Sequence, residues 1–307
     1  MRVFVAGATG AIGRPLVRDL VAAGHDVTGT TRSPDKADAL RATGATPVVV
    51  DALDAVALRA AVRGACPEVI VHQLTDLSAP LNPRRYAAWL AGTNRLRTEA
   101  TRTLIDAGRV VAARRLVVQS VAFLTVPAGP AILDESAPLR SEGPAAATAA
   151  MERTVQDADG IEGLVLRYGY FYGPGTSIGP GGQQAEDIRR RRFPVVGDGG
   201  GRWSLIHVED AAAATVFALD RGGTGVLNVV DDEPALMRDW VPGLARALGA
   251  KPPRRVPVWL AKLVVGETLV ATATQARGAS NARARERLGW APRYPSWREG
   301  FPAVFGG

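Results

Sequence analysis

The chain has one cysteine, Cys66, and three widely spaced histidines, His25, His72 and His207, among 307 residues. A single thiol excludes a disulfide framework and a cysteine-cluster metal site, and three dispersed imidazoles leave no His-only ligand set, so no metal is expected. No run approaches the roughly 18 consecutive apolar residues of a membrane span. The amino terminus, MRVFVAGATG, passes straight into a strand and a glycine loop with no charged leader. The expectation is a cytoplasmic protein with no membrane partner. Lysine is nearly absent: of 37 basic residues only Lys36, Lys251 and Lys262 are lysine. The formal charge of +7 is local, because residues 1–250 balance 27 basic against 27 acidic side chains while residues 251–307 carry ten basic and three acidic. Charge confined to one end does not describe a nucleic-acid groove, and no nucleic-acid partner is expected. It can border a cleft and favour an anionic small-molecule substrate, or be plain surface.

What is present is a regular alternation. Short apolar runs at Val3–Ala6, Asp26–Thr30, Pro47–Val50, Val69–Gln73, Leu116–Gln119 and Leu164–Arg167 read as strands. Between them lie helical patterns at Ile12–Ala23, Pro34–Thr43, Ala55–Arg63, Trp89–Ala113 and Ala145–Ala158. Repeated βα units of this length predict an α/β fold: a doubly wound, parallel Rossmann-type sheet. After Gly173 the texture changes to glycine-rich loops, GPGTSIGPGG and GDGGGR, and frequent proline. A helix at Val208–Leu219 and a strand at Val226–Val230 return to the sheet. The expected division is a dinucleotide domain over 1–172 with 204–231, and a smaller C-terminal substrate lobe from 173–203 and 232–307.

The segment VFVAGATGAIG places Gly7, Gly10 and Gly13 three apart between the first strand and the first helix. Such a loop lets backbone N–H groups and the positive helix end approach a pyrophosphate. Thr9, Ala11, Ile12 and Arg14 share that loop, and Arg14 is also a second candidate, beside Arg32, for a ribose 2′-phosphate. The second strand ends in Thr30, Thr31 and Arg32, where a ribose 2′-hydroxyl would call for an acid. Arg32 suits a 2′-phosphate instead, so NADP(H) is favoured over NAD(H); the other reading is a solvated arginine at a turn. Asp51, with Ala52 after the third strand, suits either the adenine amino group or a helix N-cap. Gln73, Leu74 and Gln119, at the ends of the fourth and fifth strands, complete the expected cofactor wall.

Taken in order, GATGAIG, VVVDALD, TEATRTLIDAG, RLVVQSVAF, LRYGYFYGPGT, VVGDGGGRWSLIHVEDAA, GVLNVVDDEP and SNARARERLGWAPRY resemble the extended short-chain dehydrogenase/reductase family, the NAD-dependent epimerase/dehydratase group. The resemblance implies a nicotinamide cofactor, a cleft between two lobes, a long-helix homodimer, and a catalytic Tyr-x-x-x-Lys pair with a nearby Ser or Thr. That pair is missing. None of Tyr86, Tyr168, Tyr170, Tyr172 and Tyr294 stands four residues before a lysine. Aligning on Glu152 puts Pro144 in the tyrosine place and Thr148 in the lysine place. Tyr168 and Tyr170, after the sixth strand, are the alternative proton donors, with Ser120 as the hydroxyl partner. Tyr168 also counts as a cofactor contact. His207 is a further candidate acid, and Glu209 or Asp210 is expected to cap the helix after it. Arg202 and Trp203 are candidate substrate contacts, whereas Arg189 to Arg192 read as a solvated face. The reading is an NADP-dependent oxidoreductase acting on a carbonyl, hydroxyl or activated alkene. Its alternatives are a net non-redox epimerase, dehydratase or cyclase with retained cofactor, and a silent dinucleotide sensor.

Overall fold

The computed structural model describes residues 1–77, 79–82 and 85–306. Seven parallel strands form the central sheet: β1 (Arg2–Ala6), β2 (Asp26–Thr31), β3 (Thr46–Val49), β4 (Val69–His72), β5 (Arg115–Val121), β6 (Glu162–Tyr168) and β7 (Gly225–Val229). Their spatial order is β7-β6-β5-β4-β1-β2-β3. The central strands are covered on both faces, which is why they read as unbroken apolar runs: all of Val69–His72 and four of five residues in β1 are buried.

One face carries α1 (Gly13–Ala22), whose Leu16, Val17 and Leu20 are fully buried. Each such side chain contributes roughly 1.5–3 kcal/mol. The helix Val208–Phe217 packs beside α1 in the same apolar cluster. The opposite face carries α2 (Ala55–Ala65), α4 (Thr101–Val110) and α5 (Ala146–Gln156), through Leu58, Val62, Leu104, Ile105, Met151 and Val155. The long helical stretch begins as α3 (Tyr86–Arg95) and joins α4 through a five-residue π-helical turn, Leu96–Ala100.

A third apolar cluster gathers Tyr172, Ile188, Trp203, Trp240, Val241, Trp297 and Phe301 into a smaller C-terminal lobe. Basic residues of the carboxyl-terminal segment pair with acids distant in sequence. Arg285 pairs with Asp232 at 2.8 Å, Arg298 with Glu233 at 2.8 Å, and Arg283 with the buried Glu135 at 3.5 Å. No helix among the described residues is long and apolar enough to cross a membrane.

Candidate active site

The carboxyl ends of all seven strands lie on one edge of the sheet, and the strand order reverses between β1 and β4, opening a crevice there. Gly7 turns the chain into it with φ of +93°. A Cβ at Gly7 would lie 2.8 Å from the Gln73 carbonyl, and one at Gly13 only 2.2 Å from the Gly7 oxygen. Neither position admits a side chain, so the loop is drawn against β4 and α1 is drawn against the loop. The loop is tethered to β2 by Gly7 N–H donating to Thr30 Oγ1 at 3.1 Å and Ala8 N–H to Thr30 O at 3.2 Å. Thr9 donates to Thr31 Oγ1 at 3.4 Å, and Gly10 N–H closes the turn on Gly7 O at 3.2 Å.

The amino end of α1 has Ile12 as N-cap, with no side-chain cap and no acid in its first turn. The uncapped N–H groups after Gly10, including those of Ala11 and Ile12, fit a pyrophosphate. Arg14 reaches from this turn towards Gly175, where a Cβ would meet its guanidinium.

At the end of β2, Arg32 pairs with Asp76 at 3.0 Å, with both side chains largely exposed. At the end of β3, Asp51 accepts from Leu53 N–H at 3.0 Å, while the helix N-cap is Asp54, which accepts from Val56 and Ala57 N–H. The capping alternative for Asp51 is thereby excluded. Ala52 is buried in the core beneath and offers the cleft only its backbone.

Beyond β4, Leu74 N–H donates to His72 Nδ1 at 3.2 Å, so His72 carries its proton on Nε2, which lies 3.1 Å from Thr101 Oγ1. Burial pushes this imidazole down to about 4. Gln73 donates to the Tyr168 hydroxyl at 3.2 Å, leaving its Oε1 unpartnered, and Gln119 Oε1 on β5 is likewise buried without a partner. Two orphaned amide oxygens at the strand ends suit a ligand that brings N–H or O–H donors.

The candidate proton donors have other commitments. Thr215 donates its hydroxyl proton to Ala211 O, so at 2.6 Å from Thr215 the Tyr168 hydroxyl must be the donor. Tyr168 is fully buried, and burial raises it to about 12. Tyr168, expected as a catalytic and cofactor contact, has its hydroxyl fixed by Gln73 just beyond β4 and by Thr215 on Val208–Phe217. Ser120 is also fully buried and donates to Glu152 Oε1 at 2.5 Å. Glu152 is in turn held by Arg167 at 2.7 Å, with both side chains buried. Thr148, in the lysine place, is buried with an unpartnered hydroxyl; the Pro144 side chain lies outside the described residues.

Tyr170 is sandwiched between Phe123 and Trp203, with ring centroids 4.0 and 4.1 Å away. Burial raises its phenol well above the ordinary value, making it a poor acid at the centre of an aromatic stack. His207 departs from its expected role. Its Nδ1 accepts from Glu209 N–H at 3.3 Å, so His207 itself caps the helix. Asp210 instead accepts the backbone N–H groups of Arg293 and Tyr294 at 2.9 and 3.0 Å. Arg202 donates weakly to Pro234 O at 3.4 Å. Arg189, Arg190 and Arg192 pair with Glu186 and Asp187 on an exposed face.

Arg97, outside the expected set of site residues, is a further functional candidate. On the π turn it is 93% buried, being 7% exposed, and burial lowers it to about 10. Its charged neighbourhood comprises Tyr86 and Glu152.

A glycine-cradled, uncapped helix terminus at the switch point of a parallel sheet defines a Rossmann-fold, NAD(P)-binding enzyme. The chain belongs to the NAD dependent epimerase/dehydratase family, whose sequence model matches residues 3–229. It is 48% identical, over 98% of its length and 99% of the relative's, to a 3-diazoavenalumate denitrifying reductase of a Streptomyces species. Its fold matches the NAD complex of Thermus thermophilus UDP-glucose 4-epimerase with a TM-score of 0.76, at 24% identity over 100% of this chain and 98% of the other. A dTDP-glucose 4,6-dehydratase from Streptomyces venezuelae, bound to NAD, matches with a TM-score of 0.77 at 21% identity over 100% and 96% of the two chains.

These comparisons overturn the expected NADP preference. Among the solved neighbours whose bound dinucleotide is named, NAD outnumbers NADPH. The structure supplies a physical reason: the Arg32 guanidinium, on which the preference rested, is occupied by Asp76.

Proposed function

We propose that this protein is a nicotinamide-dinucleotide-dependent reductase that replaces the diazo group of an aromatic carboxylate with hydrogen and releases dinitrogen. The observation that carries the proposal is the missing proton relay. Reducing a carbonyl requires a proton at oxygen, whereas replacing a diazonium group needs only a hydride: ArN2+ plus reduced dinucleotide gives ArH, N2 and oxidised dinucleotide, with charge and atoms balanced. The site matches that demand. The Tyr168 and Ser120 protons are committed to Thr215 and Glu152, Tyr170 is held far from titration, and Thr148 stands where a lysine would be. The dinucleotide would be held by Gly7, Thr9, Gly10, Ala11, Ile12, Gly13 and Arg14, with Asp51, Gln73, Leu74 and Gln119 along the wall. The stack of Phe123, Tyr170 and Trp203 suits a planar aromatic substrate. The full-length relative named for denitrifying reduction of a diazo carboxylate supports the same reading.

A carbonyl or alkene reductase has less support than the net non-redox alternative. That second reading, an epimerase or dehydratase with retained NAD, is favoured by the full-length fold matches to a sugar-nucleotide epimerase and a dehydratase. One experiment separates the readings. The diazonium salt of 4-aminocinnamate is incubated anaerobically with dinucleotide deuterated at the transferable position. The expected result is cinnamate carrying deuterium at the former diazo carbon, with dinitrogen and oxidised dinucleotide in equal amounts. Phenol alone, the product of spontaneous hydrolysis, or conversion of a sugar nucleotide without net oxidation of dinucleotide, would refute the proposal.

A further inference from the structure

Arg97 is buried with only through-space attraction from Tyr86 and Glu152 to offset the cost. Among the described residues its guanidinium makes no hydrogen bond and no ion pair, yet only 7% of the residue is exposed. Its nitrogens are not sealed in the core, as those of an inert buried group would be. Arg95, two residues earlier on the same helix, satisfies itself on the outer face with Glu99 at 2.8 Å. The π turn Leu96–Ala100 packs on α5, the helix that carries Glu152. Glu152 attracts Arg97 only through space, because Ser120 and a fork of Arg167 nitrogens already take its oxygens at 2.5, 3.0 and 2.7 Å. Tyr86 lies within electrostatic reach of both Arg97 and Arg140, and Arg140 is also within reach of Tyr170 in the aromatic stack. The cluster therefore holds three guanidiniums, Arg97, Arg140 and Arg167, against one carboxylate. An excess of positive charge beside a buried guanidinium favours an anionic ligand.

We propose that Arg97, with Arg140 as its outer neighbour, is the subsite that binds the carboxylate of the aromatic substrate. This rests on the aromatic-carboxylate reading above. A planar guanidinium fork matches a carboxylate with two parallel charge-assisted hydrogen bonds, and a desolvated guanidinium makes those bonds strongly. Held at that end, the substrate ring is left beside the aromatic stack of Phe123, Tyr170 and Trp203. The pyrophosphate has its own anchorage at the amino end of α1, so Arg97 is not required for the cofactor.

The test is isothermal titration of the full chain, saturated with oxidised dinucleotide, with 4-hydroxycinnamate and with its methyl ester. The wild type should bind the acid at least tenfold tighter than the ester. Arg97→Met should bring the two ligands within about twofold of each other, Arg97→Lys should keep an intermediate preference, and dinucleotide affinity should stay within about twofold in both variants. Circular dichroism melts check that the variants fold, and the lysine variant keeps the test open if the methionine variant does not. The proposal falls if the wild type binds neither ligand or does not discriminate between them. It also falls if Arg97→Met keeps the acid preference, or loses dinucleotide and acid together. Acid preference without deuterium transfer would sink the reductase reading and leave the subsite standing; deuterium transfer without acid preference would do the reverse.

Discussion

His72 makes stability depend on pH in a way that can be isolated. The folded imidazole sits at about 4, because burial disfavours its charge and the Arg97 guanidinium opposes it; a second proton would also face the Leu74 N–H, a donor meeting a donor. In the unfolded chain the same group titrates near its ordinary value of about 6.5. Between those values the unfolded state binds a proton that the folded state refuses. The His72 contribution is therefore complete above about pH 6.5 and drains away as the pH falls towards about 4. Linkage puts the loss at about 2 kcal/mol between pH 7 and pH 5, and about 3 kcal/mol when titration is complete. His72→Asn keeps an acceptor for the Leu74 N–H and has no proton to gain. Urea unfolding of wild type and variant across this range should show the wild type losing about 2 kcal/mol more than the variant. Parallel pH profiles would refute the reasoning. Because the Leu74 amide is on the expected cofactor wall, dinucleotide affinity should hold from pH 7 to pH 5, where the folded imidazole refuses the proton, and weaken in the wild type alone only as the pH nears about 4.

Gly13→Ala should abolish tight dinucleotide binding, by at least about tenfold in a fluorescence titration. The added methyl would need to move the Gly7 carbonyl from 2.2 Å, with a stability cost of about 1–3 kcal/mol; unchanged affinity would remove the loop from the cofactor site. Glu152→Ala leaves Arg167 buried and unpaired, which costs about 3–5 kcal/mol. For a chain of this size calorimetry should read a fall in Tm of about 5–8 °C, and a fall under about 1 °C would show that the pair carries little.

The parts of the fold readable in the sequence were those encoded by near neighbours. Strand ends came within about two residues, because alternating apolar runs and glycine punctuation are local signals; β1, the loop and α1 are the clearest case. Long-range partners were invisible. Asp76, 44 residues from Arg32, occupies the side chain on which the cofactor preference was built. Thr215, 47 residues from Tyr168, takes the proton that made this tyrosine a candidate acid. Asp210 resembled a helix cap and instead fastens a segment 83 residues downstream. The basic carboxyl end looked like a ligand signal, yet Arg283, Arg285 and Arg298 form ion pairs with acids elsewhere in the chain. Within the Trp89–Ala113 pattern nothing marked the π turn, since a one-residue offset hardly disturbs an amphipathic pattern.

That turn has a consequence for how the cleft is encoded. From Tyr86 to Val110 the chain spends one residue more than an uninterrupted α-helix would need to join the same two ends. Arg97 owes its place to arithmetic as well as to chemistry. Deleting Thr98 would restore ordinary α winding and turn everything on the amino-terminal side by about 100° relative to α4. The arginine would swing out of register with every other functional side chain intact. In this protein the length of a helix is itself part of the site, heritable through insertion and deletion rather than through substitution.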